Sequence, residues 1–293
     1  MSVLNQAAIL RLLRKNFGGE IKELIARSAE CSYLYAIDVV KGPWEPGESA
    51  ISGNAEYSFR YARDVIKGPW EKGESAISKD AEYSYRYARE AIKGPWEKGE
   101  SAISKDAEYS FCYAQEVIKG PWEKGESAIS GNAECSYLYT IDIVKGPWEK
   151  GEYAISKDAE YSFCYVENII KGPWEKGESV ISGNAEHSYR YAREVIKGPW
   201  EKGEDAIAGN ARTALDYARD VIKGRWEKGE AAMMDIPEVM YEYAKDVIKG
   251  QLPDAMHNKM VILGSFARSD DKWVRKYCQA KKYMTNKRPK VAV

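Results

Sequence analysis

Between residues 81 and 92, small and apolar side chains recur three and four positions apart, at Ala81, Ser84, Ala88, Ala91 and Ile92. That period is one face of an α-helix. Tyr85 and Tyr87 flank the small face on opposite sides, and Glu82, Arg86, Arg89, Glu90 and Lys93 point the other way. Asp80 stands just before the pattern as an N-cap, with Glu82 in the first turn near the positive helix end. Gly94 and Pro95 are expected to stop the helix, with Lys93 in its last turn. The pattern therefore predicts a long helix over AEYSYRYAREAIK. A second, shorter helix is predicted over EKGESAIS, starting after Trp96, with Glu97 and Glu100 in its first turn. Gly99 is a poor helix former, so this helix is at best two turns and depends on packing. Trp96 and Ile103 are expected to close the space between the two helices.

The same pattern recurs. Tryptophans stand at 44, 70, 96, 122, 148, 174, 200 and 226, every gap being 26 residues. Copies begin at Ala29, Ala55, Ala81, Ala107, Ala133, Ala159, Ala185 and Ala211. A degenerate ninth begins at Pro237, with Leu252 in the tryptophan place. The first 28 residues keep the frame loosely, since Lys15 and Ile25 fall 26 before Lys41 and Ile51. The organisation reads as an N-terminal capping unit over 1–28, nine tandem repeats over 29–262, and a C-terminal cap with a basic tail over 263–293. No spacer interrupts the array, so one continuous body is expected. One helix pair this small cannot bury its apolar face, whereas stacked pairs can. The expected fold class is all-α, an α-solenoid of two-helix repeats.

The repeat changes how the composition reads. The chain has 293 residues with 9 Trp, 21 Tyr and 10 Leu. Eight of the Trp fall at one repeat position and 18 of the Tyr at three. The aromatic excess is thus one small core copied along the chain, not an aromatic-lined ligand site. No run of 18 apolar residues occurs and mean hydropathy is −0.56, so no membrane span is expected. The N-terminus does not read as a secretory signal. The 5 Cys form no C-x-x-C pair, which fits reduced thiols in a cytoplasmic setting and neither a zinc site nor a disulfide framework. No cofactor is implied. Residues 263–293 carry nine Lys/Arg and two Asp, against a net charge of −1 for the whole chain, so a basic tail follows an acidic body.

The unit length separates this array from tetratricopeptide, armadillo and HEAT repeats. The motif YA-x-x-x-I-K-G-x-W-x-x-G-E, carried by Tyr217-Ala218, Val221-Ile222-Lys223-Gly224-Arg225-Trp226 and Gly229-Glu230 and by the equivalent residues of the other copies, resembles the short KGRW-type tandem repeats of uncharacterised bacteriophage and giant-virus proteins. The resemblance covers about 29–250, and seven of the eight tryptophan-bearing repeats write KGPW instead. It implies a viral or mobile-element origin, hence the host cytoplasm, and no activity.

The regular surface features are a lysine ladder from Lys41 to Lys249 and a glutamate ladder from Glu48 to Glu230. Both are expected to serve helix-end electrostatics on a solvated face. More informative are the outward positions that change between copies. They include Leu34 and Ile37, Arg60 and Arg63, Arg86 and Arg89, Leu138 and Ile141, Arg190 and Arg193, and Arg219. The third position varies too, through Cys31, Tyr57, Cys135, His187 and Thr213. A solenoid fixes its core and varies its binding face, so these residues form a candidate binding stripe. Drift after duplication and lateral packing are the competing explanations. Catalysis finds no motif: the chain has two His, His187 and His257, in no metal-spaced cluster, and no nucleophile elbow or P-loop. The C-terminal Lys272, Trp273, Arg275, Lys276, Lys281 and Lys282 interleave basic and aromatic residues, as a nucleic-acid grip would. A capping helix with a basic tail would look the same. The expected function is a non-enzymatic scaffold that binds a protein partner. Nucleic-acid binding through the tail and Arg patches is the alternative, and sequestration of a small anionic ligand a third.

Overall fold

The computed structural model describes residues 19–265 and 271–280. They fall into two compact bodies that divide between Ala154 and Ile155. Each is a solenoid of two-helix repeats, and no strand occurs among the described residues. The cap forms as the sequence predicts: the Asp80 carboxylate accepts the Tyr83 amide at 3.0 Å, and Asn or Asp does the same in the other repeats, Ser28 in the first. Without its cap residue, the ninth repeat starts instead on Pro237, whose missing N–H costs nothing there.

The long helix is not α throughout. It is α over Ala81–Tyr87 and widens to a π-helical turn over Ala88–Ile92. Nor does Gly94 stop it. Lys93 does, in the left-handed region at φ 61°. The amides of Lys93 and Gly94 both donate to the Ala88 carbonyl. All nine positive-φ residues other than glycine among those described are the lysines of this ladder, and no described glycine has a positive φ. The left-handed conformation costs a residue with a Cβ about 1–2 kcal/mol. Lys93→Gly should therefore raise stability by about 0.5–1 kcal/mol, read as a shift in the urea midpoint. An unchanged or lowered midpoint would mean the lysine side chain compensates the strain within the fold.

The short helix spans Glu97–Ile103, where the pattern put it. Trp96 lies beneath it, buried with Ile103, its ring 4.8 Å from Tyr87. Gly99 is required there for contact. A Cβ on it would sit 2.4 Å from Trp96 Cε3 and 2.9 Å from Ser84 Cβ.

Within each body, a repeat such as 81–106 is tied to the one before it through three side chains. The Ser84 hydroxyl donates to the Ile77 carbonyl at 2.8 Å, satisfying the end of the preceding short helix. Tyr87 Oη accepts the Trp70 amide at 2.7 Å and donates to Glu74 Oε1 at 3.1 Å. Lys98 Nζ donates to Glu74 Oε2 at 2.6 Å. The second body repeats this with Tyr191, Trp174, Glu178 and Lys202. The glutamate ladder is thus not the solvated face its regularity suggested: Glu74 is 9% exposed and Glu100 8%, as the receptors of the joint between repeats.

Burial, opposed by the Trp96 amide and aided by Glu100, pushes the Tyr113 hydroxyl up to about 12. Tyr61, Tyr139 and Tyr217 rise for the same leading reason. An acid whose folded pKa is raised supports the fold below its unfolded value and loses that support as pH rises. Stability should be intact below pH 10 and fall between 10 and about 12. Tyrosinate absorbance should then appear together with loss of helical ellipticity. Titration with helicity retained would contradict this.

The ends adapt the same joint. Gly19–Ala26 stands in the place of a short helix, and its Ile25 carbonyl accepts the Ser32 hydroxyl at 2.9 Å. In the ninth repeat, Asp254–Ser265 takes the short-helix place, and Lys272–Gln279 lies against it. Here Tyr277 Oη accepts the Leu252 amide at 3.2 Å, and His257 Nδ1 lies 2.7 Å from it, where other joints use glutamate. Burial lowers the His257 pKa from its ordinary 6.5, against Asp254. A base with a depressed folded pKa loses stabilisation as pH falls. The cap should loosen as pH drops below 6.5, seen as faster amide exchange in 254–279, and His257→Gln should flatten that dependence.

Candidate binding surface

The variable positions lie on the long helix, and five of their arginines stand beside an aromatic ring on the same helix or the preceding repeat. Arg63 caps Phe59 at 5.1 Å, Arg89 caps Tyr85 at 4.9 Å, Arg193 caps Tyr189 at 4.9 Å and Arg190 caps Phe163 at 4.3 Å. The rings themselves pair across repeats, as Phe59 with Tyr83 at 6.0 Å. His187 stacks on Phe163 at 5.6 Å, nearly parallel.

The charges are spoken for within the fold. Arg60 pairs with Glu56 at 2.7 Å and Arg86 with Glu82 at 3.0 Å, one helical turn back. Arg63 grips Asp64 at 2.7 Å and reaches Glu90 of the next repeat at 3.6 Å. Arg89 donates to Tyr85 Oη at 2.6 Å, to Glu90 at 2.6 Å and to Glu116 of the next repeat at 3.0 Å. Gln115 keeps that connection, to Asp142 at 2.8 Å. Arg190 reaches Glu167 at 3.3 Å, Arg193 holds Tyr189 and Glu194, and Arg219 holds Asp216 and Asp220. The Arg63 guanidinium holds the Asp64 carboxyl below the usual range. Such pairs are part-exposed and individually weak, so a partner's carboxylates can replace them.

The apolar members are less outward than the helical wheel implied. Leu34, Ile37 and Leu138 are half-buried against the core, and Ile141 is half-buried too. The acid ten places into most repeats was the missed component. It is readable as the recurrence of Asp38, Asp64, Glu90, Glu116 and Asp142, but for Glu90, Glu116 and Asp142 a partner lies 27 residues earlier, in the preceding repeat.

Between successive long helices the C-terminal ends leave open grooves. One of about 640 Å³ is lined by Ile37, Asp38, Lys41, Gly42, Asp64 and Lys67. Another, of about 190 Å³, is lined by Arg89, Lys93, Gly94, Glu116, Val117 and Lys119. The chain matches no family model, no curated protein and no solved structure. No helix among the described residues is long and apolar enough to cross a membrane.

At the C-terminus, Trp273 packs on Tyr241 at 5.5 Å, with Lys272 and Lys276 over its ring at 4.6 and 4.4 Å. Tyr277 and Val274 are buried in the same helix, and Arg275 is exposed. The tryptophan thus helps cover the last repeat. Lys281 and Lys282 lie outside the described residues.

Proposed function

We propose that the chain is a non-catalytic repeat scaffold that binds a protein partner along the exposed face of its long helices, and that it is a phage or viral product acting on host machinery. One observation carries the binding reading. The tyrosine and glutamate that join one repeat to the next stay constant from copy to copy, whereas the positions that differ lie on the long helices and include part-exposed arginines on aromatic bases. Arginine on an aromatic base is an anchor for partner binding. The viral origin rests on the repeat resemblance alone.

The test is affinity capture from host lysate with wild type and a stripe variant. Reversing charge at Arg60, Arg63, Arg86 and Arg89 together would set carboxylates against Glu56, Asp64, Glu82 and Glu116, so Arg→Gln at the four positions is the companion variant. Specific capture should fall in both while helicity is retained. Capture that survives both substitutions would remove the stripe as the site.

A further inference from the structure

The lysine ladder has no role in the joints. The short-helix lysines Lys72, Lys98 and Lys124 are each committed to a glutamate of the preceding repeat at 2.6 Å. By contrast, none of the nine lysines from Lys41 to Lys249 makes an ion pair with a described residue, and all nine are exposed. They nevertheless occupy the strained left-handed position, where glycine would be free of penalty. The glycine comes one residue later instead. There a Cβ would meet nothing within 4 Å at Gly42, Gly94, Gly120 and Gly172, and φ is not positive. Neither choice is required by the fold: a glycine followed by a lysine would end the helix at lower cost. The pair also outlasts its surroundings. The eighth repeat replaces the proline by Arg225, and the ninth replaces proline and tryptophan by Gln251 and Leu252, yet Lys223-Gly224 and Lys249-Gly250 remain.

Both features make sense together for an outside chain. The left-handed turn throws a cation off the helix end, and the bare glycine beside it leaves room for a backbone to pass. We infer that this lysine-glycine edge binds an extended acidic polypeptide segment, with a carboxylate at about every third residue. The inference rests on the protein-binding reading and names the chemistry of the segment bound. The spacing selects it: packed helices repeat at about 8–10 Å, and an extended polyproline-II chain rises about 3.1 Å per residue with three residues per turn, so every third side chain returns to the same face about one repeat further on and meets one lysine. A polynucleotide fits less well. Duplex DNA carries a charge about every 1.7 Å, far denser than one lysine per helical repeat of about 8–10 Å.

The test uses the full chain and a fluorescein-labelled peptide of Glu-Ser-Ser triplets, one for each of Lys41, Lys67, Lys93, Lys119 and Lys145. The controls are a peptide of equal composition with its glutamates contiguous, and an oligothymidylate of equal charge. Anisotropy should show the triplet peptide binding tightest, with affinity falling as salt rises. Gln at Lys67, Lys93 and Lys119 should weaken it about tenfold. Gly at the same three positions should do likewise while raising thermal stability, which separates lost binding from lost folding. No binding at low salt, equal binding of the contiguous peptide, tighter binding of the oligothymidylate, or full affinity in both triple variants would each overturn the inference. Lysate capture that still depends on the arginine stripe would leave the broader function standing.

Discussion

Gly99→Ala should destabilise the protein by about 2–3 kcal/mol, the overpacking range for a rigid core. In an ordinary helix the same change stabilises by about 1 kcal/mol, so the sign is diagnostic. The new methyl would lie 2.4 Å from Trp96 Cε3 and 2.9 Å from Ser84 Cβ. The indole cannot swing away, because Tyr87 is packed against it. Ser84 cannot retreat, because its hydroxyl holds the Ile77 carbonyl. Relief must come from separating the two helices, which opens the core of the repeat and strains both joints that meet it. Gly94→Ala is the control, since nothing lies within 4 Å of its would-be Cβ, and it should stay within about 0.5 kcal/mol of wild type. Urea midpoints of the two variants decide the matter. If Gly99→Ala were as stable as Gly94→Ala, the indole-on-glycine contact would not be what fixes the helix spacing.

That contact marks a boundary between what sequence patterning reveals and what it hides. The 26-residue period, the Asp80 cap, the short helix after Trp96 and the buried Trp96–Ile103 pair all follow from local propensity and apolar spacing. Those signals are carried by neighbours a few residues apart. Gly99 reads locally as a helix defect, because the ring that excludes its Cβ sits where no propensity rule looks. Lys93-Gly94-Pro95 reads as a glycine stop, because the left-handed residue is conventionally the glycine; a π-helical turn shifts the register by one residue and puts the lysine there.

The same limit explains the candidate surface. Variation between repeats identifies which positions differ, and the structure leaves those residues on the long helix. Their electrostatics were not legible. The partner of Arg89 is Glu116, 27 residues on, and the partner of Glu74 is Lys98, 24 residues on. In a tandem array a one-repeat offset looks identical to self-pairing within a repeat, so a charge ladder can be read as solvated when its rungs are in fact bonded to the next. Leu34 and Leu138 illustrate the converse: a straight helical wheel places them outward, yet both are half-buried against the core.

Tyr87→Phe isolates the joint itself and should cost about 2–4 kcal/mol, as expected when buried polar partners are orphaned. The ring and its packing on Trp96 survive the change, so the loss is that of one oxygen. That oxygen accepts the Trp70 amide at 2.7 Å and donates to Glu74 at 3.1 Å. Without it, a buried amide has no acceptor, and a carboxylate 9% exposed retains only the Lys98 ammonium. Nearest-neighbour stacking makes the effect spread, because each repeat is stabilised chiefly through its interfaces. Unfolding should become less cooperative, with amide exchange quickening first in 71–77 and 81–92, the elements on either side of the altered joint. The double variant Tyr87→Phe with Glu74→Gln separates the two orphaned groups. It relieves the unpaired carboxylate but leaves the Trp70 amide without its acceptor, so it should recover part of the loss and not all of it. A single variant no less stable than wild type would show that the repeats are held by apolar contact alone, with the tyrosine–glutamate bond incidental to it.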